Sequence, residues 1–321
     1  MRILNFSNSE SITQIPDVSR VENLETLSFR DCVNLTEIHE SVGRLGHLKI
    51  LDASGCKNLK TFPPIILTSL EQFNLSRCSI LESFPEILGN MEKITELRIT
   101  GSFIKRYPFS IQKLTRLQKL KLQMCGMVQL PSSIFMLPEL SLMHVSECQG
   151  LVLSEEDKSK EMASKSSNVD HLVLSDCNIS TDFLPKGLTH FSNVKDLNLS
   201  KNNFTTLHAW IKDCHFLRNL TLDDCNQLQE IKGIPRKLEK LSLKGCKFLR
   251  CLDLTILPDC TAECCSLKEL ILDDCRCLLE IKGLPKNLDN FSAKSCTSLT
   301  SPSMNMLFNQ VLSLSLFSLL I

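Results

Sequence analysis

Residues 217–225 read LRNLTLDDC, and this stretch decides the fold. It places leucine at the first, fourth and sixth positions and cysteine at the ninth. Alternate side chains of a β-strand face opposite sides of the sheet, so we expect Leu220 and Leu222 to point inward. Thr221 and Asp223 should point outward. A single short strand cannot bury its leucines alone, so the stretch predicts packing against further copies of itself.

The same nine-residue frame recurs along the whole chain. The copies that keep cysteine at the ninth position are 24–32, 48–56, 70–78, 117–125, 140–148, 169–177, 217–225, 238–246, 267–275 and 288–296. Copies 94–102 and 194–202 end in Ser102 and Asn202, and a thirteenth copy begins at residue 1. First positions lie 21 to 29 residues apart, which is the period of leucine-rich repeats. We predict an α/β repeat solenoid, a leucine-rich repeat horseshoe of about 13 repeats with a parallel β-sheet on its concave face.

The segments between the copies are short and contain proline. Residues 107–111 read YPFSI and residues 130–134 read LPSSI. Proline fixes its own backbone angle and lacks an N–H donor. The returns should therefore be extended pieces, loops and short turns, such as 3₁₀ turns, on the convex face. Long helices are not expected.

The 16 cysteines follow the repeat and predict no disulfide framework, since ten of them fill the ninth position. So many unpaired thiols fit a reducing compartment. The N-terminus has no basic segment leading into an apolar core, so we expect no signal peptide. These features predict a cytoplasmic protein, with the nucleus as a second location. The 36 basic and 36 acidic side chains balance, which argues against a nucleic-acid partner.

Two segments interrupt the frame within the repeat domain. Residues 150–168 are charged and rich in serine, so we interpret them as a solvated insert, with a regulatory or phosphorylated loop as the alternative. The second segment contains Cys260, Cys264 and Cys265. These cysteines lack paired C-x2-C knuckles and a nearby histidine, which favours a plain loop over a zinc site.

The frame stops near residue 300. We therefore assign residues 1–300 to the repeat domain and residues 301–321 to an apolar tail. The last eleven residues, 311–321, are too short to span a bilayer, which needs about 20 apolar residues, so no membrane partner is expected. The tail either covers the exposed end of the stack or begins a following domain.

The outward residues of the main strands form the candidate protein-binding surface, because a concave sheet presents them in rows. Basic residues should cluster in the middle and acidic residues toward the end, and the alternative is an ordinary solvated face. Met124 and Leu142 should adjoin on neighbouring repeats as a small contact patch. The candidate residues on the concave face are Arg98, Lys119, Lys121, Met124, Leu142, His144, His171, Asp196, Asn198, Asn219, Asp223, Asp224, Lys240, Lys244, Asp273 and Asp274.

The sequence offers few catalytic candidates. His144 and His171 could lie close across two strands, but a catalytic or metal role would need a third partner that we cannot assign. The adjacent aspartates at 223–224 and 273–274 should point to different sides of a strand, so they do not form an obvious acid–base pair. No G-x-S-x-G or H-E-x-x-H motif occurs. We therefore predict no enzyme activity, no cofactor and no bound metal.

The frame, the YPFSI and LPSSI returns and the segment 217–246 together resemble one family. It is the leucine-rich repeat region of plant intracellular immune receptors of the TIR–nucleotide-binding–LRR class, and the resemblance covers residues 1–300. It implies recognition of a pathogen effector or guarded host protein, and restraint of the receptor's own nucleotide-binding domain. The TIR domain, the G-x-x-x-x-G-K-[ST] phosphate loop and the C-terminal β-sandwich of that class have no counterpart in this sequence, so no ATP or ADP is expected.

A second class of function is a generic leucine-rich repeat adaptor, such as a substrate-recruiting subunit of a ubiquitin ligase. That function would need an F-box-like helical segment, which this sequence does not contain. An extracellular plant receptor is disfavoured, because asparagine at the ninth position and an L-x-G-x-I-P return are not regular features of the chain.

Overall fold

The computed structural model describes residues 1–154, 167–179, 191–254, 266–285 and 288–305. Most of the predicted insert, the three cysteines of the 260–265 segment and most of the apolar tail lie outside the described residues. The chain forms two compact units, Met1–Val169 and Asp170–Ile321.

The first unit consists of short strands joined by extended returns. Its strands are β1 (Ile3–Asn5), β2 (Gln14–Ile15), β3 (Thr26–Ser28), β4 (Glu37–Ile38), β5 (Ile50–Asp52), β6 (Gln72–Asn74), β7 (Glu96–Thr100), β8 (Lys119–Gln123), β9 (Met127–Pro131), β10 (Leu142–Ser146) and β11 (Gly150–Ser154). Short 3₁₀ helices span Glu40–Arg44, Phe109–Lys113 and Ser132–Met136. The last two begin directly after Pro108 and Pro131, whose backbone is extended, as predicted for the returns.

The main strands of the first unit form parallel ladders. One contains β1, β3, β5 and β6 in that order, and another contains β7, β8 and β10. The frame sets the register, because Leu97, Leu120 and Met143 hold the fourth position of their copies and are direct partners. Smaller parallel pairs, β2 with β4 and β9 with β11, lie along the returns.

The second unit repeats this plan. Its strands are β12 (His171–Ser175), β13 (Asp196–Asn198), β14 (Thr206–Leu207), β15 (Asn219–Thr221), β16 (Glu230–Ile231), β17 (Lys240–Ser242), β18 (Cys251–Asp253), β19 (Glu269–Ile271), β20 (Glu280–Lys282) and β21 (Asn290–Ser292). The main parallel sheet runs β12, β13, β15, β17, β19, β21, and β14 pairs with β16 and β18 with β20. A 3₁₀ helix spans Ala209–Asp213, and residues 301–305 are helical.

The inward side chains form the core of each unit. Leu220 is 1% exposed and Leu222 is 0% exposed, as predicted. Burying one leucine side chain stabilises by about 1.5–3 kcal/mol, so the stack supplies a stability that no single strand has. The fold is a parallel-strand β-solenoid with little helix, which confirms the predicted class. The residues that the structure describes make about 11 turns, slightly fewer than the 13 repeats predicted.

The ninth position ties each copy to the one before it. The Cys56 thiol donates to the Phe29 carbonyl and the Cys246 thiol donates to the Leu222 carbonyl, each at 3.1 Å. Burial raises the pKa of the Cys225 thiol to about 12, so this thiol stays protonated and can donate. The cysteines within the described ranges are not joined to one another by disulfides, in agreement with the prediction that they form no disulfide framework.

The eighth position turns the chain out of the strand. In all thirteen copies its backbone φ is positive, from 50° at Met124 to 74° at Gly55. Glycine adopts this left-handed region freely, and aspartate, as at Asp31 and Asp224, tolerates it better than most residues. The turn directs the ninth side chain into the core.

Candidate protein-binding surface

Three basic side chains lie in register on the outward face of the first unit. Arg98 in β7, Lys121 in β8 and His144 in β10 hold the fifth position of their copies and are direct partners across the strands. Neighbouring strands are about 4.8 Å apart, so these side chains stand close together. The structure thus gathers three of the predicted basic residues into one line, which we call the cationic row.

One carboxylate lies beside the cationic row. A Glu96 oxygen is 3.0 Å from Lys121 Nζ and 3.6 Å from a guanidinium nitrogen of Arg98. The hydrogen bond from Lys121 lowers the pKa of Glu96, so this carboxylate is ionised at neutral pH. Lys119, which is exposed, is the register partner of Glu96. Three cations therefore flank this carboxylate.

His144 is the half-buried member of the cationic row. Its Nε2 lies 3.0 Å from Ser146 Oγ. Burial lowers the pKa of His144, the positive charges of Lys121 and Arg98 lower it further, and Glu147 acts in the opposite direction. The imidazole is therefore neutral at pH 7. Protonation favours the unfolded chain, so the stability that neutral His144 contributes is lost as the pH falls below its ordinary value of about 6.5.

Replacing Lys121 with methionine should raise the pKa of His144. The substitution removes a nearby positive charge and frees the adjacent carboxylate, and both changes favour the protonated imidazole. NMR titration of the imidazole measures this pKa directly. Lys60→Met, on the return after β5, is the matched control and should leave it unchanged. An unaltered His144 pKa in the Lys121 variant would contradict the electrostatic coupling.

The predicted contact patch of Met124 and Leu142 is wrong. Leu142 is the third residue of its copy and pairs with Lys119. Met124 is the eighth residue of its copy, and its N–H donates to the Ser146 carbonyl at 3.0 Å. The two residues are five register positions apart, which is about 16 Å along a strand. Met124 is 55% exposed because it lies on the left-handed turn.

The main strands of the first unit separate next to the cationic row. Within residues 1–154, β6 pairs with β5 and β7 pairs with β8, but β6 and β7 do not pair with each other. The Arg77 N–H donates to the Thr100 carbonyl at 2.8 Å, so the two copies stay joined just beyond the strands' C-terminal ends. An open groove of about 640 Å³ lies between β6 and β7, and its lining includes Asn74, Ser76 and Arg98.

On the second unit, basic side chains are bracketed by acidic ones. His171 Nδ1 is 2.7 Å from Asp170 Oδ1, and His171 Nε2 is 3.0 Å from Asp196 Oδ2. Burial raises the pKa of Asp170, but the hydrogen bonds from His171 and Lys195 outweigh burial, so the pKa is lowered on balance. The Asn219 amide also donates to Asp196. The polar groups of the predicted residues His171, Asp196 and Asn219 therefore have partners among the neighbouring side chains of the second unit.

The first aspartate of each predicted pair joins two strands. Asp223 Oδ1 accepts the Ser242 hydroxyl at 2.5 Å and the Lys244 N–H at 3.0 Å. The same arrangement recurs 50 residues later at Asp273. The second aspartate of each pair holds the left-handed eighth position. This geometry agrees with the interpretation that neither pair is an acid–base couple.

Two other candidates also have partners within the second unit. Lys240 Nζ is 3.1 Å from a carboxylate oxygen of Glu269, its register partner. Asn198 accepts the backbone N–H two residues further on. His144 and His171 belong to different units, so their proximity stays a prediction.

The described surface presents fixed charges, amides and hydroxyls. Among the residues with described positions, no three histidine, cysteine, aspartate or glutamate side chains are placed to hold a metal ion. A membrane-crossing helix is likewise absent from the described part of the chain. Rows of fixed polar groups on a leucine-rich repeat sheet are suited to binding another protein.

The chain is similar to curated plant resistance proteins. TMV resistance protein N of Nicotiana glutinosa is 32% identical over 287 residues, which are 75% of this chain and 25% of that protein. Disease resistance protein RPS6 of Arabidopsis thaliana is 29% identical over 277 residues, which are 79% of this chain and 23% of that protein. The chain thus spans about a quarter of the length of these relatives.

Solved structures support the fold alone. The leucine-rich repeat domain of the type III effector XCV3220 (XopL) is 23% identical with a TM-score of 0.51, covering 67% of this chain and 72% of that chain. TLR13, in the TLR13-ssRNA13 complex, is 18% identical with a TM-score of 0.56, covering 93% of this chain and 49% of that chain.

A family model decides the assignment. Residues 66–252, which are 187 of the 321 residues, match the model described as "Disease resistance protein RPS4B-like, leucine-rich repeats". The relatives above, all resistance proteins, agree with this match. The chain belongs to the leucine-rich repeat family of RPS4B-like disease resistance proteins, the repeat region of the TIR–nucleotide-binding–LRR class.

Proposed function

We propose that this repeat region is a protein-recognition module of plant innate immunity. It binds a pathogen effector, a guarded host protein or the receptor's own nucleotide-binding domain, and this binding controls defence signalling. We further propose that it acts in the cytoplasm, with the nucleus as a second location.

The cationic row carries this proposal. It lies on the outward face of stacked parallel strands, where the backbone ladder fixes the spacing of the side chains. A rigid array of this kind meets a partner with little loss of conformational entropy on binding. The relatives named as resistance proteins support an immune role for the recognition.

Replacing Lys119 and Lys121 together with glutamate should change partner binding and leave the fold intact. Both side chains project from β8 on the outward face, and reversing their charge replaces attraction by repulsion toward an interface built to meet them. The variant is placed in a receptor reassembled with its TIR and nucleotide-binding domains. Pull-down of the effector or of the nucleotide-binding domain, and autoactivity in leaf tissue, are the measurements.

The matched control is the double variant Lys57→Glu with Lys60→Glu. These lysines are exposed on the return after β5, so the control carries the same charge change away from the outward face. Circular dichroism verifies that both variants fold. If pull-down and autoactivity are the same in the β8 variant as in the unmodified receptor, recognition does not use this face.

A further inference from the structure

We propose that the partner presents an acidic, extended segment, and that this segment binds along the cationic row with carboxylates between Arg98, Lys121 and His144. This inference rests on the proposed function and names the chemistry of the partner.

The charge balance of the side chains at and beside the cationic row carries the argument. Arg98, Lys119 and Lys121 contribute three positive charges and Glu96 one negative charge, so these four side chains have a net charge of +2. Like charges directly opposite on neighbouring strands destabilise a sheet. In the second unit, by contrast, Lys240 stands opposite Glu269. An acidic partner would relieve a repulsion that the folded chain retains.

The spacing of the cationic row suits an extended peptide. Three strands about 4.8 Å apart make a row about 10 Å long. In an extended chain, side chains at i and i+2 lie on the same side, about 6.6 Å apart. Two carboxylates at alternate positions, about 6.6 Å apart, fit within the length of the row, about 10 Å. A segment lying across the strands therefore directs one carboxylate toward Arg98 and Lys121 and the other toward Lys121 and His144.

Polar groups on both sides of the row can hold the backbone of such a segment. At the seventh position, two residues beyond Lys121 along β8, the half-buried Gln123 amide flanks the row, and its hydrogen bond of 3.3 Å to Oγ of the buried Ser146 fixes its orientation. At the β7 end of the row, the groove between β6 and β7 is lined by the half-buried Asn74 and Ser76 next to Arg98. The groove is continuous with the row and offers space for residues that follow the carboxylates.

The test uses the 321-residue chain and synthetic hexapeptides with blocked termini. The probe peptide alternates threonine with glutamate, and two comparison peptides carry glutamine or lysine in place of glutamate. Titration calorimetry at low salt should detect binding of the glutamate peptide at least about tenfold tighter than binding of either comparison peptide. Raising the salt concentration should weaken binding of the glutamate peptide, because its ion pairs with the partly exposed row are screened by salt.

Lys121→Glu should weaken binding of the glutamate peptide at least about tenfold. Lys60→Glu makes the same charge change on a return and should alter the affinity for this peptide less than about twofold. Circular dichroism and the thermal midpoint verify that Lys121→Glu is folded. The inference is overturned if the glutamate peptide does not bind, if all three peptides bind alike, or if the two variants weaken it equally.

The failure of this inference is distinguishable from failure of the proposed function. If the Lys119 and Lys121 double variant alters recognition in the reassembled receptor but the glutamate peptide does not bind, the face recognises a partner of another chemistry. If the peptide binds as expected but the reassembled receptor is unaffected, the acidic site exists and the immune role is wrong.

Discussion

Replacing Asn202 with alanine should lower the free energy of unfolding by about 3–5 kcal/mol. Asn202 is fully buried, and its amide nitrogen donates to the carbonyls of Leu174 and Leu199 at 2.7 and 2.8 Å. Its amide oxygen accepts the N–H groups of Cys177 and Ile179, each at 3.1 Å. Alanine removes this shared partner from these four backbone groups. The Leu199 carbonyl keeps the Cys225 thiol as a donor, and leaving another buried group unsatisfied costs about 1–3 kcal/mol.

The measurement combines denaturant unfolding with hydrogen exchange. Repeat stacks can open locally, so the exchange rates of the Cys177 and Ile179 amides report the loss of local stability around residue 202. Asn202→Cys should recover part of the stability, because a thiol donor occupies the equivalent position of most other copies. Asn203→Ala, at the exposed neighbouring residue, should cost less than about 0.5 kcal/mol. Equal stabilities of the two alanine variants would contradict the prediction.

The sequence predicts the core well because one physical rule generates it. Leucines at the fourth and sixth positions must share one side of a strand, and copies in register must place like positions opposite each other. The partners Leu197, Leu220 and Leu241 follow directly from this rule. Cysteine and asparagine are interchangeable at the ninth position because both side chains reach a carbonyl of the preceding copy.

The left-handed eighth position was not predictable from residue type. It holds asparagine, aspartate, glutamate, glycine, arginine, methionine, lysine and serine in different copies, so no single residue marks it. The conformation is imposed by the ninth side chain, which must enter the core immediately after an outward residue. For this reason Met124, which we predicted on the outward face of the sheet, lies on the turn and away from Leu142.

The candidate site was predictable in part. Alternation places Arg98, Lys121 and His144 outward, but the pairing with Glu96 depends on side-chain conformations that a pattern does not contain. The sequence indicates the separation of β6 from β7 only weakly. Phe73 replaces leucine at the fourth position of its copy, and its ring lies 5.3 Å from the Phe62 ring and 5.7 Å from the Phe84 ring. Phenylalanine alone does not identify a break, since Phe291 also holds a fourth position and β21 pairs normally with β19.

Gly43→Ala should destabilise the first unit by about 2–3 kcal/mol. A Cβ on Gly43 would lie 2.1 Å from the Pro64 carbonyl oxygen, and a backbone atom cannot rotate away as a flexible side chain can. The Gly43 carbonyl also accepts the Ile66 N–H at 2.7 Å. Moving the two returns apart to admit the methyl group would therefore stretch a hydrogen bond between neighbouring copies.

Gly46→Ala is the matched control, because it adds the same methyl group three residues later where a Cβ meets nothing within 4 Å. Alanine restricts the unfolded chain more than glycine does, so Gly46→Ala should leave the stability unchanged or raise it by up to about 1 kcal/mol. Denaturant unfolding of the two variants, with hydrogen exchange at the Ile66 amide, separates the effect of the clash at residue 43 from the effect of alanine on the unfolded chain. A faster Ile66 exchange in Gly43→Ala alone would locate the loss at the contact between the returns. Equal effects of both substitutions on stability would mean that the close approach of the Gly43 and Pro64 backbones does not make residue 43 intolerant of a methyl group.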